Sequence, residues 1–234
     1  MSHKIFCLLG KSSSGKDKIF SILIADPQLS LRRLVTYTTR PIRTGEEEGR
    51  EYHFVSEEEY RRLENAGLVV EERAYHTVYG LWRYFTVADG NIDLTESSCL
   101  TVGTLESFTA LREYCRKNSG RPGFGAGEKT VVPLYIEVAD GERLKRAYLR
   151  EEQQEEPKYV ELCRRFVADT ADFAPEKLAA AGITDRDTFE NPDGRLDECI
   201  RALKKRIGEM EEGAGIISPI SSVRMQYGII SRMQ

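Results

Sequence analysis

The sequence predicts an α/β fold around a mainly parallel β-sheet, and three observations lead to this class. Short apolar segments typical of buried strands alternate along the chain with segments of helical periodicity. Of the 234 residues, 40% are hydrophobic, which is enough for one sizeable core. No internal repeat accompanies the alternation, so we expect one three-layer unit with helices on both faces of the sheet.

In the first half of the chain, apolar segments bounded by turn residues predict elements in the order strand 4–9, helix 19–24, strand 34–38 and strand 52–55. Ser56, with Glu59 three residues later, indicates a capping box. A helix is therefore expected from Ser56 to Asn65, ended by Gly67.

In the second half, the same reasoning predicts strands at 68–70, 78–79, 99–102, 131–138 and 188–190. It predicts helices at 104–117, 140–152, 157–171, 174–181 and 195–210. Pro133 favours an irregular or edge position for its strand. Residues 119–127 are a glycine-rich loop. Residues 211–234 are rich in Gly, Ser, Ile and Met with few charged residues, and we interpret them as a C-terminal tail.

Charge and cysteine content exclude several classes of protein. The 34 basic and 38 acidic residues give a net charge of −4, which argues against a broad basic surface for nucleic acid. No segment approaches the roughly 18 apolar residues that a membrane span needs, and the start of the chain does not resemble a signal peptide. Five scattered cysteines without a CxxC pair indicate free thiols in a reducing cytoplasm, and three histidines are too few for a metal centre.

The segment from Gly10 to Asp17 fits the phosphate-binding pattern G-x4-G-K between a predicted strand and a predicted helix. Glycines let backbone N–H groups turn toward a phosphate, and the helix N-terminus adds positive potential. Candidate ligands of a nucleotide's phosphates are Gly10, Ser12, Ser13, Ser14, Gly15, Lys16 and Asp17. The chain is therefore expected to have a P-loop fold, in which Lys16 stabilises the negative charge on the oxygens of the transferred phosphoryl group. The alternative is a glycine–serine turn with a solvated lysine.

Asp17 stands where this motif normally has the Ser or Thr that ligates Mg²⁺. A carboxylate is a suitable hard ligand for Mg²⁺, so Asp17 is the candidate metal ligand. It also adds a negative charge beside the nucleotide, which is expected to weaken binding or activity. The alternative is an acidic residue favoured at a helix start by the dipole.

A second cluster of candidate anion ligands follows the predicted strand at 34–38. Arg40 and Arg43 lie three residues apart across a proline, and Tyr52 follows. Two guanidinium groups and a phenol are suited to a phosphate dianion. Taken alone the pattern is weak, because arginines in loops are usually solvated.

The segment T-T-R-P-x-R-x-G-E-x-x-G-x-x-Y-x-F from Thr38, downstream of a phosphate loop, resembles the guanylate kinase family. The similarity extends through Glu71 and the Tyr79-Gly80 pair, and more weakly to about residue 210. It implies a core, a nucleoside-monophosphate-binding subdomain at about 36–90 and a lid at about 140–170. It also implies phosphate transfer from ATP to GMP, with Mg²⁺ as cofactor.

The resemblance assigns roles by motif position. Arg40, Arg43 and Tyr52 would hold the GMP phosphate, and Tyr79 would add a hydrogen bond to it. Thr36, Glu46 and Glu71 would complete the GMP site, with Glu71 reading the guanine edge. Catalytic residues would be Lys16 and the lid arginines Arg146, Arg150 and Arg165; the alternative for these three is surface arginines paired with nearby glutamates.

Three positions depart from the family's pattern at residues expected to recognise the nucleotide base or to bind the metal ion. Thr101 and Gly103 replace an aspartate pair, and Leu81 replaces a small hydroxyl residue. With Asp17, these departures leave three hypotheses open: a guanylate kinase of reduced activity, a kinase of the same fold with another acceptor, and a binding module without catalysis. ATP and GMP are the expected partners, with no nucleic acid polymer and no membrane.

Overall fold

The computed structural model describes residues 3–43, 45–77, 80–124 and 130–212. Its strands are β1 (Ile5–Leu9), β2 (Arg32–Arg33), β3 (Tyr37–Thr38), β4 (His53–Phe54), β5 (Val69–Thr77), β6 (Gly80–Val87), β7 (Cys99–Val102), β8 (Val131–Glu137) and β9 (Thr188–Glu190). Its α-helices are α1 (Lys16–Ile24), α2 (Glu57–Asn65), α3 (Leu105–Lys117), α4 (Asp140–Glu151), α5 (Tyr159–Asp172), α6 (Pro175–Ala180) and α7 (Leu196–Glu212).

Five strands form a parallel sheet in the order β2-β7-β1-β8-β9, as the α/β prediction requires. Successive side chains of β1 point to opposite faces. Cys7 therefore packs on the face covered by α3, and Phe6 on the face covered by α1 and α7. Both side chains are at most 1% exposed, and each large apolar one buried in this way stabilises the fold by roughly 1.5–3 kcal/mol.

A second sheet has the order β4-β3-β6-β5 and is mostly antiparallel, with β5 and β6 as a long hairpin. Its smaller core contains Tyr60 and Leu63 of α2 with Phe85 and Val87 of β6. The α3 helix of the first core packs against β5. The second sheet is therefore joined to the first core through the contact of β5 with α3.

Several predicted elements differ in detail. Of the strand predicted at 34–38, only Tyr37–Thr38 is a strand, and a separate short strand in the other sheet precedes it at Arg32–Arg33. The strand predicted at 68–70 is the longer β5. The strand predicted at 78–79 lies outside the described residues. So do residues 125–127 of the predicted loop at 119–127 and residues 213–234 of the predicted tail at 211–234. Ser56 does cap α2, accepting from the Glu59 N–H at 3.1 Å, and Gly67 ends the segment at φ +68°.

Pro133 lies in β8, between β1 and β9, rather than in an edge strand. The ladder with β1 pairs it with Cys7, whereas the ladder with β9 begins only at Tyr135. The missing proline N–H is therefore tolerated because one side of β8 has no neighbouring strand at that point.

Candidate phosphate-transfer site

The phosphate loop follows β1 at the carboxyl edge of the parallel sheet. Gly10 and Gly15 have φ of +145° and +90°, a region that disfavours other residues. A Cβ on Gly10 would lie 2.6 Å from the Ile136 carbonyl oxygen, and one on Gly15 would lie 2.7 Å from Asn191 Nδ2. Both glycines are thus required by the close approach of β8 and of the segment after β9.

Two serine hydroxyls of the loop are buried without a hydrogen-bond partner among the described residues. They belong to Ser13, which has φ +62°, and to Ser14, which is fully buried. Buried hydroxyls are nearly always satisfied, so these two atoms indicate a polar ligand at the loop. An anion with several oxygens, such as a phosphate group, would supply the acceptors.

Lys16 is the first residue of α1, and its Nζ donates to the Lys11 carbonyl oxygen at 2.9 Å. Burial lowers the pKa of Lys16, although the carboxylates of Asp17 and Asp169 act in the opposite direction. Because the Lys16 ammonium is partly desolvated and bonded to a carbonyl of the phosphate loop, it could exchange that carbonyl for a phosphate oxygen.

Asp17 lies in the first turn of α1 and is exposed, with no side-chain hydrogen bond in the described part of the chain. Within residues 3–43, 45–77, 80–124 and 130–212, no cluster of three His, Cys, Asp or Glu side chains could hold a metal ion. Mg²⁺ commonly binds through one or two carboxylates together with substrate phosphates. Asp17 fits this mode, because its free carboxylate adjoins the phosphate loop.

Three side chains distant in sequence hold the loop, and none was predicted from the sequence. Asn191 Nδ2 donates to the Ser14 carbonyl oxygen at 2.8 Å, and the Ser12 N–H donates to Asp169 Oδ2 at 2.7 Å. Arg143 donates from Nη1 to the Ser12 carbonyl oxygen at 3.0 Å. Residues of α4, of α5 and of the segment after β9 therefore fix the shape of the loop.

Arg143 is a buried ionic centre, with 1% of its surface exposed. It bonds Asp140 through Nη2 at 2.8 Å and contacts Asp169 through Nη1 at 3.4 Å. Its guanidinium carbon lies 4.5 Å from the ring centre of Phe166. The pair of helices α4 and α5 is thus tied to the phosphate loop by charge-assisted hydrogen bonds.

One face of the β5–β6 hairpin, called the wall below, carries Glu71 and its neighbours from the expected acceptor site. The register pairs Glu71 with Thr86, Arg73 with Tyr84 and Tyr75 with Trp82, and these six side chains share a face because alternate residues of a strand do. The Tyr52 ring lies 5.5 Å from that of Tyr84. Aromatic and charged groups therefore line a common surface, as a nucleotide site requires.

Arg40 is 3% exposed, and four of its five N–H donors are engaged. It forms a two-point pair with Glu46 at 2.8 and 3.0 Å, and it also donates to the Pro41 carbonyl and to the Tyr84 hydroxyl. Glu46 in addition accepts from the Arg43 N–H at 2.8 Å, and the bond from Arg40 lowers the pKa of Glu46. Arg40 and Glu46 thus build the turn that presents Arg43.

Three of the remaining residues expected at the acceptor site are among the described residues. Arg43 is exposed, with no side-chain bond in the described part of the chain. Tyr52 is half-buried, which raises the pKa of its phenol. Thr36 is half-buried and its carbonyl accepts from the His53 N–H. Tyr79 lies outside the described residues.

The three arginines expected from the lid are in different situations. Arg146 on α4 bonds Asp193 at 2.8 Å and the Asn191 carbonyl at 2.8 Å, so it supports the segment that holds the phosphate loop. Arg150 is exposed, and its charge acts on the pKa of Lys16. Arg165 on α5 pairs loosely with Glu161 at 3.7 Å, and its Nε is buried without a hydrogen bond among the described residues.

The three positions that depart from the family's pattern have defined surroundings in the structure. A Cβ on Gly103 would lie 2.7 Å from Ser107 Oγ and 3.0 Å from Cys7 Sγ, so an acidic side chain has no room there. Thr101 is buried in β7, and Leu81 is half-buried in β6. Ser107 instead completes the capping box of α3 with Thr104.

Comparison with known proteins agrees with this geometry. Residues 2–83 match the family model for guanylate kinase. Over 101 residues the chain is 36% identical to a guanylate kinase of Aromatoleum aromaticum, covering 41% of this chain and 48% of that protein. Over 120 residues it is 31% identical to a guanylate kinase of Mycoplasma mobile, covering 50% and 59%.

A guanylate kinase of Cupriavidus metallidurans is 35% identical over 75 residues, or 32% of this chain and 34% of its own length. The chain thus spans about a third to three-fifths of these relatives. A crystal structure of guanylate kinase from Anaplasma phagocytophilum matches with a TM-score of 0.52 at 19% identity, covering 89% of this chain and 86% of that one, which supports the fold. In the described part of the chain, no helix is both long and apolar enough for a membrane span.

Proposed function

Through residues 2–83 the chain belongs to the guanylate kinase family, and from that premise we propose that it transfers the γ-phosphoryl group of ATP to GMP. The observation that carries the proposal is the phosphate loop, in which two buried serine hydroxyls lack partners among the described residues and Lys16 bridges the loop. A polar oxygen-rich ligand satisfies both features.

The donor site is the loop of Gly10, Ser12, Ser13, Ser14, Gly15, Lys16 and Asp17. The backbone N–H groups and the start of α1 would hold the ATP phosphates, and Lys16 would stabilise charge that develops on the transferred group. The chain needs no general base, because the acceptor is already a phosphate oxygen. Catalysis would therefore come from positioning and from cations.

The acceptor site is the wall formed by β5, β6 and the turn after β3. We assign the GMP phosphate to Arg43 and Tyr52, together with Tyr79. Arg40 and Glu46 would act by shaping the turn, because their charged groups are already paired. Thr36 and Glu71 complete the site, with Glu71 on the base.

The arginines of α4 and α5 would act on the transferring phosphate. Arg150 is exposed and Arg165 has an unbonded buried Nε, so both have donors to offer. Arg146 would act through its bonds to Asp193 and the Asn191 carbonyl. When α4 and α5 close over both nucleotides, exclusion of water would strengthen every one of these contacts.

Asp17 would hold Mg²⁺ together with the phosphates of ATP. Bound there, the ion would supply charge neutralisation of the donor phosphates. Asp17 lies in the first turn of α1, where the helix N-terminus is favourable for a carboxylate side chain.

We also propose a reducing, cytoplasmic location. All five cysteines are free thiols, and four of them are buried. Such usage is typical of proteins that are not exposed to oxidising compartments.

The test is ADP release from Mg²⁺-ATP with GMP, dGMP, AMP, UMP or CMP as acceptor. We expect turnover with GMP, a loss of at least about a hundredfold in Lys16→Met, and near wild-type turnover in Lys18→Met, which removes an exposed lysine from the same helix. Full turnover by Lys16→Met would overturn the donor-site assignment. Binding of a phosphopeptide without any turnover would instead favour a binding module.

A further inference from the structure

Glu71 and Arg73 form an ion pair on the wall that faces the acceptor. They are two residues apart on β5, so both side chains lie on the same face of the hairpin. The pair is largely desolvated: the Glu71 side chain is 4% exposed and that of Arg73 is 14% exposed. Buried charge in this position requires either a structural role or a ligand.

The hydrogen bonds of the pair leave donors available rather than acceptors. Arg73 uses Nε and Nη2 on Glu71, at 3.1 and 3.4 Å. Thr86 donates to the same carboxylate at 2.8 Å. Glu71 therefore has about one of four lone-pair sites free, whereas Arg73 keeps three of five N–H donors without a partner in the described part of the chain.

The surroundings of Arg73 place its charge between the two halves of the site. The Arg73 guanidinium lowers the pKa of Cys7, on the strand before the phosphate loop, although burial dominates and raises that pKa to about 12. It also acts on Tyr52, expected at the acceptor phosphate. Arg73 is thus close enough to act both on the strand before the phosphate loop and on Tyr52.

We propose that Arg73 is a specificity-determining residue of the acceptor site, which recognises the 6-oxo group of a purine while Glu71 accepts from the ring N–H. This inference rests on the proposed function. An arginine fork matches the O6 and N7 acceptors of a 6-oxopurine, which is its commonest specific base contact in other proteins. The adjacent carboxylate has one site free on Oε2, and release of the long 3.4 Å bond from Arg73 Nη2 would free a second on Oε1. It would then match the N1–H and the 2-amino group of guanine.

This arrangement separates purines by two independent features. The 6-amino group of adenine would place a donor against the donors of Arg73, leaving both unpaired, and unpaired buried donors are costly. A 2-aminopurine nucleotide lacks the oxo group that Arg73 reads, and it also lacks the N1–H from which Glu71 accepts. An inosine nucleotide keeps the oxo group and lacks only the 2-amino group that Glu71 reads.

The experiment measures the dissociation constants of GMP, IMP and 2-aminopurine ribonucleoside monophosphate by calorimetry, together with kcat/KM for each. The wild type is expected to prefer GMP over the 2-aminopurine nucleotide by about tenfold or more, the range of one good bidentate contact. Arg73→Met is expected to lower that ratio by about tenfold, leaving the preference that comes from the missing N1–H, and to leave the GMP-to-IMP ratio unchanged. Glu71→Gln is expected to lower the GMP-to-IMP ratio instead.

Arg61→Met is the matched control, since it removes an arginine from the exposed surface of α2. Both ratios are expected to stay at wild-type values in this variant. An Arg73→Met protein that keeps the wild-type ratio for the 2-aminopurine nucleotide would overturn the inference. So would wild-type protein that binds this nucleotide as well as GMP, a result that does not depend on the variant folding. A wild type that binds no nucleoside monophosphate at all would refute the proposed function itself.

Discussion

Replacement of Arg143 by Met tests whether the buried charge network supports the phosphate loop. Met retains much of the apolar stem of the side chain and removes the guanidinium. The change eliminates the bonds to Asp140 at 2.8 Å and to the Ser12 carbonyl at 3.0 Å, and the contact with Asp169 at 3.4 Å. It leaves the carboxylate of Asp169 without this cation, with the Ser12 N–H as its one remaining side-chain hydrogen bond among the described residues.

The size of the effect follows from burial. Breaking a buried ion pair by removal of one partner costs about 3–5 kcal/mol, and Asp169 remains 16% exposed, so we expect about 3 kcal/mol. For a chain of this length that lowers Tm by roughly 6–12 °C. Loss of the loop bond is expected to weaken ATP binding by about tenfold, the equivalent of one hydrogen bond.

The assay is urea unfolding followed by circular dichroism, with ATP binding measured on the folded variant. The control is Arg164→Met, which removes an exposed arginine paired with Glu161 on α5 and should cost less than about 1 kcal/mol. If Arg143→Met unfolds within 1 kcal/mol of the wild type and binds ATP equally well, the network does not support the loop.

Three further outcomes are expected. Gly10→Ala should destabilise by about 2 kcal/mol or more and abolish ATP binding, because its Cβ would meet the Ile136 carbonyl at 2.6 Å; unchanged ATP affinity would contradict the geometry. Gly208→Ala, with open space around a helical position, should stabilise by about 0.5–1 kcal/mol in the same urea assay, and a loss of stability would show hidden crowding. Glu46→Gln should destabilise at pH 7 by roughly 3 kcal/mol, because it leaves Arg40 buried and unpaired. Arg40 lowers the pKa of Glu46 in the folded protein. The pair therefore contributes its full stability above the unfolded-state pKa of Glu46, and this contribution is lost as pH falls through the lower folded pKa. The urea unfolding curves of wild type and Glu46→Gln should accordingly converge only in acid.

The local parts of the fold could be predicted from the sequence. A short apolar strand, a glycine loop and a lysine at a helix start are defined by neighbouring residues, and the structure has each in the expected place. Ser56 and Gly67 similarly mark the ends of α2 through contacts within one turn. Such features need only local geometry.

The support of the site could not be predicted in the same way. Arg143 lies 131 residues from Ser12, and Asp169 lies 157 residues from it, so no local pattern connects them. Their meeting depends on β1 and β8 being adjacent in the sheet. A buried arginine on a highly charged helix also looks like a surface residue until the packing of α4 on α5 is known.

Arg73 was missed for a related reason. On the sequence it belongs to the charged run from Glu71 to Arg73, which suggests a solvated segment. Its proposed role rests on the β5–β6 register, which places Tyr84 opposite it, on the face that also carries Glu71. Alternate side chains of a strand share a face, so a strand that includes residue 73 places Arg73 on the same face as Glu71. The strand predicted from the sequence ended at residue 70 and therefore did not include Arg73.

The most direct test of phosphate transfer follows labelled phosphate from γ-³²P-ATP in the presence of Mg²⁺ and GMP. The account predicts that the label appears in GDP with the wild-type protein, that its transfer requires GMP, and that Lys16→Met transfers at least about a hundredfold more slowly. Label that remains in ATP although both nucleotides bind, or that is released only as inorganic phosphate, would contradict it.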